Sequence, residues 1–480
     1  MSSRIVEILA PILLTACVAA PKPDPSRIPV PGHYTATDSV TTGPTDVQRL
    51  VTGAPPVPDW WKAYGSDELN ALVEEGLAHS PSLAAARSTL EATREQLRAQ
   101  IGGNLFPSID VGFAPSRQRA LALPELPQPT YLYNVFALEA QASYRFDFFG
   151  ASLHADRALA HRVEQQRYQF DAMRRAIATN IVIAAIDAAM LNEALAATES
   201  LVTLSQDYEQ QLSARDRLGG VAHDEALAAD LAAANIAATL PGLRSQLFAV
   251  RHAQAALLGR SPDKAPAPLS LESLHLPAEV PLSVPSALLH QRPDILAAEA
   301  AMRAAAEEAG AAAALLYPSL SLSASYGRGG FDWSTFTSPA GAIWSVGATM
   351  TQPLFHGGAV RAQKRQYADL FEAAESSYRQ TVLAAFENVA DTLSSLEEDS
   401  SALTQAQRAA DAAFQTQANA DRRYRLGSVA WSAALSAQQQ YQNARITVAR
   451  AQAARLSDTA SLFQAMGELP SSDHSGLLPE

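Results

Sequence analysis

Arg217-Leu218-Gly219-Gly220-Val221-Ala222 and Arg425-Leu426-Gly427-Ser428-Val429-Ala430 close two stretches, 151–218 and 359–426, that contain no glycine and no proline. Both stretches are rich in Ala, Leu, Gln, Glu and Arg, the residues with the best intrinsic helix propensity. At about 1.5 Å per residue, each predicts a rod roughly 100 Å long. That is about three times the hydrocarbon thickness of a bilayer, and far longer than the ordinary globular helix. The closing glycines predict that each rod turns back on itself.

Working outward, the two halves correspond element by element. Leu105-Phe106-Pro107-Ser108-Ile109 matches Leu316-Tyr317-Pro318-Ser319-Leu320, and Phe148-Phe149-Gly150 matches Leu354-Phe355-His356-Gly357. Each half reads as helix, two extended segments, long rod, glycine turn and returning helix, an internal two-fold repeat. The first repeat covers 59–262, with strands at about 107–116 and 134–148 and a long helix over about 151–218. The second covers 263–470, with strands at about 317–328 and 342–354 and a long helix over about 359–426. A tail at 471–480 is expected to be disordered. Within the returning segments, Pro241-Gly242 predicts two stacked helices in the first half; the second half, without proline over 428–466, predicts one.

The four extended segments alternate with period two. Phe136, Leu138, Ala140, Ala142, Tyr144 and Phe146 share one face, and Glu139, Gln141, Ser143, Arg145 and Asp147 the other. Leu320, Leu322, Ala324 and Tyr326 alternate with serines, and Trp344, Val346, Ala348 and Met350 alternate with Ser345, Gly347, Thr349 and Thr351. A half-buried soluble sheet gives the same pattern. Charged groups near mid-strand need water, however, and aromatic ends on the apolar face suit a membrane strand. Four strands cannot close a barrel, so lipid-facing strands require several chains to share one. Two copies would give eight strands and three would give twelve. Along the rods, Phe170, Ile177, Ala184 and Leu191, and Val382, Val389, Leu396 and Leu403, recur every seven residues and mark seams against neighbouring helices.

The amino-terminal region predicts export. Arg4 precedes a short apolar stretch, Ile5 to Leu14, which ends in Leu14-Thr15-Ala16-Cys17. This has the form of a lipoprotein signal (1–16), with Cys17, the single cysteine, as the lipidated residue. Glu7 and Pro11 interrupt the apolar segment. Residue 18 is Val rather than Asp, which favours the outer membrane as destination. Residues 17–58 are rich in Pro, Thr, Ser and Gly and read as the lipidated Cys followed by an extended tether. No contiguous apolar run reaches the roughly 18 residues of a spanning helix. The formal charge of −13 argues against nucleic acid as a partner.

The whole pattern resembles the TolC family of outer-membrane channel proteins, and within it the lipidated NodT-type factors of tripartite efflux systems. The resemblance rests on Cys17, on Trp60-Trp61-Lys62-Ala63-Tyr64-Gly65 with Leu69-Asn70-Ala71-Leu72, and on Gln291-Arg292-Pro293-Asp294-Ile295. Tyr317-Pro318-Ser319, Gln352-Pro353-Leu354-Phe355 with Gly357-Gly358, and both glycine turns complete it, from 17 to about 467. It implies an α+β, TolC-like chain with four strands. Three copies would share a twelve-stranded transmembrane β-barrel and an α-barrel projecting through the periplasm. A periplasmic adaptor (membrane fusion protein), an inner-membrane RND-type pump and outer-membrane lipid are the implied partners.

No catalytic constellation is present: there is no phosphate loop, no HExxH and no cysteine nucleophile. The ten histidines are scattered, so neither a metal site nor a cofactor is expected. Function is expected at the narrow end. Asp224 and Glu225 follow the first glycine turn and read either as a charged ring or as first-turn acids on a helix dipole. The resemblance implies a carboxylate-and-arginine lock there, and Glu225 falls at one acidic position. The second half instead carries Val429, Ala433 and Ser436, leaving Trp431 and Leu435 as candidates for an apolar closure. The turns Leu218-Gly219-Gly220-Val221 and Leu426-Gly427-Ser428-Val429 are the expected adaptor-docking points. The expected function is an exit duct for small molecules. A duct for secreted polypeptides and a lipid-tethered scaffold without a pore are its rivals.

Overall fold

The computed structural model describes residues 18–23, 31–32, 34, 48–121 and 130–467. The expected signal over 1–16, Cys17, much of the tether and the 471–480 tail lie outside the described residues.

β1 (Arg49–Thr52), α1 (Asp67–His79) and α2 (Pro81–Leu105) come first. The first sheet segments follow: β2 (Ser108–Phe113), β3 (Ser116–Leu121) and β4 (Thr130–Phe146). Next are α3 (Ala151–Arg217), α4 (His223–Ala237), α5 (Leu240–Leu257) and β5 (Glu279–Leu282). The second half supplies α6 (Pro293–Ala314), β6 (Ser319–Gly330), β7 (Ala342–Thr351), α7 (Ala359–Arg425) and α8 (Trp431–Ala465).

The main sheet is antiparallel, in the order β2-β4-β6-β7, with β3 also on β4. Phe113 pairs with Leu138 and Ser116 with Val135, so β2 and β3 keep one register and form a single interrupted path. The interruption is Ala114-Pro115. Ala114 still donates to the Ala137 carbonyl at 2.8 Å, but Pro115 has no N–H to give. The hairpin therefore runs past the expected limits, to Leu121 on one arm and from Thr130 on the other. Ser116, Arg117, Gln118 and Arg119 are polar on both faces, which hides this extension from a period-two reading.

Directly paired residues share a face. Ile109–Ala142, Ala140–Tyr326 and Tyr326–Trp344 lie on the apolar side; Asp110–Gln141, Gln141–Ser325 and Ser325–Ser345 lie on the polar side. The Ser108–Ser143 and Ser325–Ser345 hydroxyls bond across the polar side at 2.8 and 2.9 Å. Among the described residues most of the apolar side is uncovered, with Trp344 74% and Val346 69% exposed, but Trp333 and Phe336 of the β6–β7 connection pack on Phe136 at one end.

α3 and α7 are each 67 residues long, and each starts at a glycine with positive φ, Gly150 (82°) and Gly358 (86°). α6 lies between the rods on the strand side and α8 between them on the far side; α2, α4 and α5 pack against α3. Val382, Val389 and Leu396 of the predicted seam are buried, while Leu403 is half-buried. α3 and the α4–α5 stretch are long and apolar enough over 18 residues to cross a membrane by composition alone, chiefly through alanine. In α3, more than half of that window lies inside the protein.

A girdle joins the halves midway along the rods. β1 pairs in parallel with β5. Trp60 stacks on Phe463 with centroids 5.3 Å apart, and the Tyr64 hydroxyl donates to the Leu456 carbonyl at 2.7 Å. Arg292 pairs with Asp294 and donates to the carbonyls of Ala385 and Ala465. Gly467, at φ 77°, lies where a Cβ would come 2.5 Å from the Gln291 carbonyl. The phrases 60–65 and 291–295, far apart in sequence, thus meet at the end of α8.

Candidate functional site

Both rods end in the same backbone device. Gly219, at φ 73°, donates to the Asp216 carbonyl, and Gly220 donates to that of Arg215, each at 2.8 Å. Gly427, at φ 70°, donates to the Tyr424 carbonyl at 2.8 Å, and Ser428 to that of Arg423 at 2.9 Å. This is the Schellman arrangement, which satisfies the last carbonyls of a helix and needs a left-handed residue at its centre. It leaves Leu218 and Leu426 at the apex, 86% and 82% exposed. Val221 and Val429 are half-buried beside them.

The two turns belong to one tip. Leu435, Tyr208, Leu212, Ala226 and Ala229 form a small buried core, with Trp431 packed on it. Trp431 sits 4.8 Å from the Tyr424 ring, edge to face, and 6.0 Å from that of Tyr208. Leu435 is therefore interior: it ties α4 and α8 to α3, so its side chain is spent within the chain rather than offered to a passage. Tyr208 and Tyr424 were not identified from the sequence, because each is a lone aromatic on a polar rod face with nothing local to mark its partner.

The halves close their turns by different chemistry at matching positions. In the second, Trp431 packs on the residue seven before it, Tyr424. In the first, the His223 Nδ1 pairs with the Asp216 carboxylate at 2.9 Å, again seven before. That carboxylate holds the His223 pKa above its ordinary 6.5, through the hydrogen bond first and the charge second. Asp224 and Glu225 are exposed in the first turn of α4. Burial pushes the Tyr208 pKa up, the Glu225 charge pushes it further, and the bond to Ser432 opposes both.

The acids do not stand alone. Arg215 and Arg217 occupy the last turn of α3, and Arg422, Arg423 and Arg425 that of α7, where cations suit the helix dipole. The tip is a mixed-charge surface around an aromatic core. Among the described residues no cluster of three or more metal-ligating side chains occurs.

Comparison with known proteins agrees with this geometry. The family model described as outer membrane efflux protein matches residues 284–468. The pyoverdine export outer membrane protein OpmQ of Pseudomonas aeruginosa is 26% identical, covering 98% of both chains. The probable efflux pump outer membrane protein TtgC of Pseudomonas putida is 28% identical, over 85% of this chain and 84% of its own. The solved structure of the outer-membrane channel OprN carries the same fold, with a TM-score of 0.81 at 24% identity, over 94% of this chain and 99% of that one. Fold, near full-length relatives and the matched second half converge: over its length this chain is similar to outer membrane efflux proteins.

Proposed function

We propose that three copies of this chain form one conduit, which conducts small molecules passively out of the periplasm. The observation that carries this reading is the sheet. Among the described residues both edge strands, β2 and β7, have one unpaired side, and the two faces are of opposite polarity. Unpaired edges cannot stand in hydrocarbon, and three four-stranded sheets joined edge to edge supply the twelve strands of a closed barrel. The 10 residues of β7 and the 12 of β6 suit a membrane strand of about 9–11 residues. Apolar faces then meet lipid, and Glu139, Gln141, Arg145 and the serines line water.

The rods would continue the passage through the periplasm, with Leu218 and Leu426 at the apices inserting between helices of a periplasmic adaptor linked to an RND-type pump. The exposed Asp224 and Glu225, with the Trp431 aromatic knot behind them, are the residues proposed to set the width and charge of the narrow end. Cys17 is the proposed lipid attachment. Export names such as that of OpmQ support a small-molecule cargo over polypeptide. The bare, two-faced sheet speaks against a scaffold without a pore.

The decisive experiment is purification from outer membranes followed by single-channel recording. Heat-modifiable, detergent-requiring trimers with a stable conductance are expected, and a water-soluble monomer would end the proposal. Glu225→Ala should lower cation preference and Trp431→Ala should raise conductance. Unchanged currents in both would remove these residues from the constriction.

A further inference from the structure

His154 lies four residues into α3, just past the end of β4, and is only 6% exposed. Both of its ring nitrogens are engaged. Nε2 donates to the Val18 carbonyl at 2.7 Å, and Nδ1 contacts the Glu307 carboxylate on α6. A carbonyl can only accept, so Nε2 carries a proton. A neutral imidazole would then point a bare Nδ1 lone pair at a carboxylate oxygen that also only accepts. The pair therefore holds one proton more than a neutral imidazole plus a carboxylate.

The surroundings are built for this contact. A Cβ at Gly310 would stand 3.0 Å from the Ala20 Cβ and 3.0 Å from the His154 Nδ1, so the segment 18–20 fits beside α6 because residue 310 has no side chain. Gly150 admits the other edge of the ring, at 3.4 Å from a would-be Cβ. The neighbouring charges are committed elsewhere. Glu308 pairs with Arg162 at 3.0 Å, Asp156 accepts from Gln100 and Asn104 of α2, and Asp147 accepts from the Leu153 amide. Arg361, Lys364 and Arg365 of α7 are exposed.

We propose that His154 and Glu307 form a clamp that docks residues 18–20 in the groove between α3 and α6, at the level where strands become rods. The docking stands whether or not Cys17 is lipidated.

The test uses the full chain with Cys17→Ser, exported through a non-lipoprotein signal, and a nitroxide on Ala19→Cys, which is exposed. The spectrum should be immobilised in the parent. In Glu307→Gln the amide can donate to Nδ1 of a neutral ring, so the segment should stay docked. In His154→Leu it should be roughly threefold more mobile. A mobile parent spectrum, or a docked His154→Leu chain, overturns the clamp; if His154→Leu does not fold, the mobility of the parent still decides. The mass of the amino-terminal peptide of the parent reports lipidation separately.

Discussion

At the level of single residues, the tip shows one geometric task solved twice. His223 with Asp216 and Trp431 with Tyr424 each tie the start of a returning helix to the end of its rod. Only the first tie responds to pH. Because Asp216 raises the histidine pKa above 6.5, the tie is complete below that value and is lost as pH rises through the folded one. Asp216→Asn should return His223 to the ordinary imidazole range, read by its ring-proton shifts, while the Trp431 side stays constant. Leu435→Ala should cost about 2–4 kcal/mol, since it opens a cavity in the tip core, measured by denaturant unfolding. Spacing in the sequence placed Trp431 and Leu435 correctly near the turn. It could not tell that Leu435 points inward, because facing depends on Tyr208 and Leu212, more than 200 residues earlier.

Between elements, the seam joining α7 and α8 holds a carboxyl pair. Burial, and then the charge of Asp458, push Asp399 up to about 6 from 3.8, and burial also raises Asp458. Folding therefore favours the protonated pair. The stabilisation is full below about 3.8 and disappears as pH rises through about 6. Asp399→Asn should flatten the difference in unfolding midpoint between pH 5 and pH 7.5 and make the seam firmer at the higher value; equal pH sensitivity in both proteins would count against the pair. Period-two and period-seven patterns exposed the strands and the rods because each repeats over many residues. The Ala114-Pro115 interruption and the polar arm beyond it carry no such repetition. Contacts such as Trp60 on Phe463 join residues 403 positions apart, so no local pattern announces the girdle.

For the whole molecule, the two uncovered faces of the sheet make the sharpest forecast. Kept as the only tryptophan of the chain, Trp344 should be quenched by brominated acyl chains in reconstituted trimers. Trp60, 1% exposed inside the girdle, should not. Quenching of neither would detach the apolar face from lipid.

The unlike returning helices carry a mechanical corollary. α8 runs unbroken from Trp431 to Ala465, whereas α4 and α5 part at Ala238-Thr239, just before a proline that has no amide hydrogen to bridge the joint. In the proposed trimer, stiff and articulated staves would then alternate, as in a cask whose every second plank is hinged. Dilation of the far end should be borne by the hinged planks, and Pro241→Ala, by fusing the joint, should make the mouth harder to widen.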